Sequence, residues 1–497
     1  MKQIPLTQIG LNPQTAKDFP VAAKLLLEDA QLRKNVRHAT DVIQVKRAQV
    51  VSEQTDWQQL REAGRAIREH TLEYLDFYLK QFEQNCQRAG GQVSWARDAT
   101  EAAQIIVSLV QQESASEVIK IKTMTSEEIR LNEALETAGI RAYETDLAEL
   151  IIQLGKDSPS HIVVPALHKN RQQVRDIFAR EMQLPELGDK PQDLTEAARK
   201  FLREKFLRVK VGVSGANFLI ADTGGVCIVE SEGNGRMCLT LPETLIAVAG
   251  IDKVIPRFQD LEVFLQLLPR SATGERMNPY NSIWTGVHPG DGPKRFYIVL
   301  LDNARTEILE DAEARQTLHC IRCGACQNAC PVYRQTGGHA YGSVYAGPIG
   351  AILTPQLQHM EHAQSLPYAS SLCGACYEVC PVKINIPEVL IHLRGRIVRE
   401  RQQGLSKLNP ENIGMQAAAS IFRSHRRFEA AQRLARIGQW SFVRHGEVIE
   451  RLPGFLHGWT QVRDLKPVPQ QSFRNWWRQR EKRPSSKKDA AVSSGPS

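Results

Sequence analysis

No apolar run in the chain approaches the ~20 residues that a helix needs to cross a bilayer, and the opening stretch MKQIPLTQIGLNPQ lacks the basic segment, apolar core and small-residue cleavage site of a secretory signal. A cytoplasmic protein is expected, with peripheral docking at the inner face of a membrane left open to it. No Ser-His-Asp or Cys-His arrangement is legible, so nothing announces nucleophilic catalysis. No recognisable DNA-binding motif occurs, and no nucleic-acid partner is expected. Cysteine is scarce outside one window: Cys86, Cys227 and Cys238 stand alone and read as buried small hydrophobes.

What is present is an ordinary soluble composition, 42% hydrophobic and 24% charged, with a mean hydropathy of -0.34. Its 497 residues exceed one ordinary core and imply two or three domains. Charge is uneven. From Ile391 to Ser497 there are 21 Lys plus Arg against 8 Asp plus Glu, whereas the rest of the chain is slightly acidic.

Residues 1–56 read as a helical or irregular extension in which DVIQVKRAQVV has no clear period. From Trp57, apolar residues at near-helical spacing (Leu60, Ile67, Leu72, Leu75, Leu79, Phe82) predict one long helix that stops before Ala89. An alternation follows. SEVIKIKT, IRAYETD and HIVVPA read as strands; SEEIRLNEALETAG, opened by a capping box of Thr125 and Glu128 and closed by Gly139, LAELIIQLG and LTEAARKFLREKFL read as helices. Such alternation implies a partly parallel sheet with helices on its faces. VGVSGANFLIADTGGVCIVESEGNGR reads as strands joined by tight turns, and FYIVLLD closes an α/β domain over 57–303. A cysteine-rich domain spans 304–391, a basic region with helical VLIHLRGRIVRE and AAQRLARIGQWSFV spans 392–480, and the polar tail 481–497 is expected to be disordered.

Seven of the ten cysteines lie between 320 and 380. Cys320, Cys323, Cys326 and Cys330, followed by Pro331, keep the C-x2-C-x2-C-x3-C-P spacing of bacterial ferredoxins, in which the fourth cysteine serves the other cluster. The stretch recurs as Cys373, Cys376 and Cys380, with Ser370 where a fourth cysteine would fall. Crossed ligation predicts one cluster on Cys320, Cys323, Cys326 and Cys380 and another on Cys330, Cys373 and Cys376. The first has four thiolates and suits 4Fe-4S; the second is either 3Fe-4S or a 4Fe-4S cluster whose odd iron takes Ser370, water or another residue. Structural zinc is the competing reading, but zinc knuckles seldom take a four-cysteine run ending in Cys-Pro. The 42 residues between Cys330 and Cys373 include GGHAYGSVYAGPIGAILTP, expected to pack over the clusters. His339, His359 and His362 read as packing or surface histidines rather than ligands.

SEEIRLNEALE, ETDLAELIIQL, PSHIVVPALHKN, VGVSGANFLIADTG, ESEGNGR and HPGDGP, followed by the two cysteine motifs and SFRNWW, resemble the lactate utilisation protein B family over nearly the whole chain. The resemblance implies an N-terminal LUD domain of NagB/RpiA/CoA-transferase-like α/β fold, an α-helical ferredoxin-like dicluster domain, and two 4Fe-4S clusters on the seven cysteines. It further implies an electron-transfer subunit in the oxidation of L-lactate to pyruvate, working with other subunits and a downstream, quinone-linked acceptor.

An alternative assigns chemistry on lactate or glycolate to the α/β domain itself. The glycine-rich turns carrying Gly215, Asn217, Asp222, Thr223, Gly224, Glu230, Asn234 and Arg236 are its candidates, with Arg236 pairing a substrate carboxylate; ordinary turns and a surface ion pair are the plainer reading. HPGDGP reads as a rigid loop. In the basic region, Arg394, Arg396 and Arg399, Arg423, Arg426 and Arg427, and Arg474, Arg478, Arg480, Lys482 and Arg483 with Trp476 and Trp477 suggest solvated helices or a docking face for a redox partner or membrane surface.

Overall fold

The computed structural model describes residues 17–358, 360–403, 409–439, 442, 448–452, 454, 457–461 and 463–481. They divide into two units, Met1–Ile397 and Val398–Ser497.

The first unit is built on a six-stranded sheet of β1 (Gln92–Ala96), β2 (Glu117–Lys120), β3 (Arg141–Glu144), β4 (Val211–Ser214), β7 (Thr244–Gly250) and β10 (Arg295–Leu301), ordered β1-β10-β7-β4-β2-β3. Every pairing in it is parallel. Both faces are covered, so the central strands are apolar throughout rather than alternating. In β7, Leu245, Ala247 and Ala249 enter one core while Ile246 and Val248 enter the core on the other face. A second sheet joins β5 (Phe218–Ile220), β6 (Gly225–Glu230), β8 (Val254–Ile255) and β9 (Tyr280–Trp284) in the order β8-β5-β6-β9.

Four helices precede the sheet: α1 (Phe19–Leu26), α2 (Ala30–Ser52), α3 (Trp57–Glu73) and α4 (Leu75–Arg88). DVIQVKRAQVV, patternless in sequence, belongs to α2, whose start is capped by Asp29 accepting from the Leu32 N–H at 2.9 Å. The long helix expected from Trp57 is two helices, interrupted at Tyr74 (φ -115°, ψ 36°). The capping box expected of Thr125 and Glu128 does not form. Thr123 instead caps a short helix, Met124–Glu128, and the left-handed Arg130 (φ 53°) starts a separate one, Leu131–Thr137. HIVVPA is a loop rather than a strand, because the His161 ring nitrogen Nδ1 accepts the Val163 and Val164 N–H groups, each at 3.0 Å, and curls the backbone away from any sheet.

The cysteine region is made of short helices whose apolar side chains share one core with α1 and α2, including Phe19, Leu32, Val36, Tyr333 and Ile349. The glycine- and aromatic-rich insert is buried there, its helix Gly347–Leu357 along its whole length. In the second unit, helices Pro410–Phe422 and His425–Gly438 bury no residue fully. Lys482, Arg483 and the rest of the polar tail beyond Glu481 lie outside the described residues, as does His359. No helix among the described residues is long and apolar enough to cross a membrane.

Candidate functional site

The two cysteine motifs repeat in conformation as well as in sequence. Arg322 and Leu372 both take left-handed backbone angles (φ 61° and 55°), as do Gly324 and Gly374 (φ 73° and 83°) two residues later. Each glycine opens a one-turn helix, Ala325–Ala329 or Ala375–Val379, and each helix ends on an extended cysteine, Cys330 or Cys380. Left-handed turns are costly for side-chain-bearing residues and persist where surroundings impose them. Such turns aim main-chain N–H groups at sulfur: Arg322 N donates to Cys320 Sγ at 3.4 Å, and Ile384 N, after the left-handed Lys383 (φ 51°), to Cys380 Sγ at 3.3 Å. At the repeat position, Leu372 N donates to Ser370 Oγ at 3.1 Å.

Cys320, Cys323, Cys326 and Cys380 line one small cavity, closed over by Ile349, Val382, Ile384 and Ile386. Cys330 and Cys376 interact electrostatically with each other and with Cys373. Burial pushes the Cys323 and Cys376 thiols up to about 12 and Cys380 to about 11. Thiols so disfavoured from ionising alone become thiolates when a multivalent cation binds them. Soft donors, N–H groups aimed at sulfur and an apolar lid together fit an iron-sulfur cluster. Exposure differs at one cysteine: Cys323, Cys326, Cys330, Cys376 and Cys380 are buried and Cys320 half-buried, whereas Cys373 is exposed, on a segment that also exposes Tyr368, Leu372 and Tyr377.

Arginines from distant helices hold the second motif in place. Arg61 donates Nε–H to the Cys380 carbonyl at 2.9 Å and Nη2–H to the Tyr377 carbonyl at 3.2 Å, and Arg47 donates to the Val379 carbonyl at 3.0 Å. Arg68 is fully buried and binds the carbonyls of Val254 (2.7 Å), Asp252 and Leu318 (2.9 Å). None of these was identified from sequence, since each lies more than 180 residues from its acceptor.

A second, larger cavity of about 250 Å³ lies past the C-terminal ends of β2 and β4 and reaches the first cysteine motif. Of the residues suggested by the glycine-rich turns, Gly215, Asn217, Glu230 and Asn234 line it; Asp222, Thr223, Gly224 and Arg236 do not. Asp222 instead accepts the Phe258 N–H at 3.0 Å, and Arg236 is exposed and stacks over Tyr280 at 5.1 Å. The cations that do line the cavity are Lys122, Lys253 and Arg322. Burial, reinforced by neighbouring Arg322, lowers Lys253 to about 7. Beneath them, burial alone would raise Asp252, but Arg305 and Arg322 hold it below the usual carboxylate range. The cavity's acids are occupied by main-chain donors: Asp146 by Lys122 N (2.6 Å), Glu230 by Gly233 N (2.6 Å) and Arg236 N (3.0 Å), and Glu232 by Leu147 N (3.0 Å).

The histidines are packing groups. His339 donates its Nε2–H to the Ser158 carbonyl at 2.8 Å and meets His168 edge-on, while His362 is exposed. Asp157, His168 and His339 come close enough to hold a metal ion, but Asp157 is already ion-paired to Lys169, and both His168 nitrogens are engaged, by Ser160 at 2.8 Å and Asp157 at 3.1 Å. HPGDGP is a tight loop, closed by a bridge between His288 and Asp291.

Comparison with known proteins bears on the same regions. Residues 79–301 match the LUD domain, 316–384 the 4Fe-4S dicluster domain, and 392–482 the C-terminal domain of lactate utilisation protein B. A lactate utilization protein B of Oceanobacillus iheyensis is 43% identical over 455 residues, covering 91% of this chain and 94% of that one. One from Bacillus mycoides is 42% identical, covering 90% and 93%, and one from Bacillus anthracis 41%, covering 92% and 96%. Among solved structures, a duf162 family protein from Deinococcus radiodurans aligns over 46% of this chain and 98% of its own at 13% identity, with a TM-score of 0.27, too low to carry an argument.

Proposed function

The chain belongs to the lactate utilisation protein B family, and from that premise we propose that it is an iron-sulfur electron-transfer subunit in the oxidation of L-lactate to pyruvate, acting within a multi-protein system. The observation that carries the reading is the crosswise cavity: three cysteines of the first motif share it with Cys380 of the second. On this reading Cys320, Cys323, Cys326 and Cys380 hold a 4Fe-4S cluster, and Cys330, Cys373 and Cys376 hold a second whose fourth ligand is not cysteine. Bound there, such clusters supply one-electron transfer.

The protein's own residues set potential and access. N–H donors at Cys320 and Cys380, and the nearby charges of Arg47 and Arg61, favour the more negative, reduced state at the set of Cys320, Cys323, Cys326 and Cys380. Exposure of Cys373 beside Tyr368, Leu372 and Tyr377 makes that face the natural place for exchange with a partner. Anaerobically purified chain should contain iron and acid-labile sulfide. L-Lactate should bleach its visible absorption only when the companion subunits are added. Turnover of L-lactate with an artificial acceptor by the chain alone would favour the alternative, oxidation in the α/β domain.

A further inference from the structure

The large cavity contains polar atoms that the fold leaves unmatched, and their chemistry is specific. Arg322 is buried, yet its Nε and Nη2 have no hydrogen-bond acceptor. Its remaining partners are distant: Asp252 Oδ2 lies 3.5 Å from Nη2, Arg305 holding the other oxygen of that carboxylate at 2.6 Å, the Cys320 carbonyl is 3.5 Å from Nη1, and the guanidinium sits over the Tyr345 ring at 4.9 Å. Lys253 lines the same wall. Buried guanidinium N–H groups without acceptors, here Nε and Nη2, carry a desolvation cost that a bound anion would remove.

Asn234 supplies the opposite need. Its Nδ2 donates to Thr145 Oγ1 at 3.1 Å, and Thr145 gives its own proton to the Lys120 carbonyl at 2.9 Å. The amide orientation is thereby fixed, with nitrogen toward Thr145. The Oδ1 that remains is buried without a donor. A ligand that satisfies both ends needs an anionic group for Arg322 and Lys253 and a hydroxyl for Asn234. Apolar walls from Ile121, Ile162 and Val163 suit a short carbon skeleton. At about 250 Å³ the space is below the roughly 300–1,000 Å³ of drug-sized sites.

We propose that this cavity is a binding site for a small hydroxycarboxylate, with Arg322 and Lys253 facing its carboxylate and Asn234 accepting from its hydroxyl. The choice of L-lactate as the first probe rests on the function proposed above; the existence of the site does not. Arg322 also donates its main-chain N–H to Cys320 Sγ, so an occupant of the cavity is one residue away from a predicted cluster ligand and should perturb that cluster without reacting.

The test is calorimetric titration of the anaerobically isolated, cluster-loaded full chain with L-lactate, propionate and inorganic phosphate, with iron, sulfide and EPR measured on the same samples. L-Lactate should bind roughly tenfold or more tighter than propionate, which lacks the hydroxyl, and should shift the EPR of one cluster. Asn234→Ala should abolish that discrimination, and Arg322→Met should weaken both carboxylates. If Arg322→Met loses iron, Asn234→Ala carries the test. Equal binding of lactate and propionate, tighter binding of phosphate, or no binding by a sample with its full iron and sulfide would overturn the site. That last result leaves the electron-transfer assignment standing, whereas absence of iron and sulfide would remove that assignment instead.

Discussion

Ser370 stands in the second motif where Cys320 stands in the first: Leu372 N–H reaches Ser370 Oγ at 3.1 Å as Arg322 N–H reaches Cys320 Sγ at 3.4 Å. The backbone of a four-cysteine motif has therefore been kept while one sulfur has been replaced by oxygen. Ser370→Cys should complete a fourth thiolate at the set of Cys330, Cys373 and Cys376. Iron content should rise by up to about one atom per chain, and the EPR of the second cluster should change while that of the first does not. Iron content and spectra unchanged by the substitution would remove Ser370 from the neighbourhood of that cluster.

Stability of the α/β sheet depends on a buried charge at the C-terminal end of β2, beside the edge strand β3. Lys120 Nζ lies 2.7 Å from Glu144, 3.0 Å from Glu127 and 2.9 Å from Ser126 Oγ, and the lysine is fully buried. Lys120→Met leaves Glu144 buried without its cation and should cost about 3–5 kcal/mol in denaturant unfolding. Lys120→Met combined with Glu144→Gln should recover part of that loss. Equal destabilisation of single and double variants would show that the charge pairing is not what is lost.

Buried histidines should make the chain lose stability in mild acid, opposed in part by Glu144 and Asp146, which burial raises to about 7 and about 6. Burial lowers His161 and His319 to about 3 and His339 to about 4. Below an unfolded value of about 6.5, the unfolded chain takes up three protons that the fold refuses, so stability falls as pH drops from about 6.5 toward 4. The slope approaches 1.4 kcal/mol per pH unit for each histidine. Urea midpoints between pH 7.5 and 5 would measure it, and His339→Asn should reduce the slope by about one proton. Equal slopes for the wild type and His339→Asn would mean that His339 titrates in the folded state as it does unfolded.

The cysteine motifs were legible because cluster ligation is dictated by local spacing, and the glycines that follow Cys323 and Cys373 mark the left-handed turns it requires. The parallel sheet was legible from alternating strands and helices. What escaped was set by long-range contacts. Nothing near Arg61 signals that its guanidinium will meet the Cys380 carbonyl 319 residues away. HIVVPA has a strand's composition, yet one histidine nitrogen takes the two N–H groups that a strand would have paired. Of the residues on the glycine-rich turns, Gly215, Asn217, Glu230 and Asn234 line the large cavity, but Arg236 turns outward onto Tyr280, and the cavity's arginine is Arg322 from the cysteine motif.

The crosswise sharing of cysteines is tested most directly by EPR with iron quantitation on four single variants, Cys323→Ala, Cys380→Ala, Cys330→Ala and Cys376→Ala, purified without oxygen. The account predicts that Cys323→Ala and Cys380→Ala leave one and the same residual spectrum, and that Cys330→Ala and Cys376→Ala leave the complementary one. Pairing by motif instead, Cys323→Ala with Cys330→Ala and Cys376→Ala with Cys380→Ala, would contradict it.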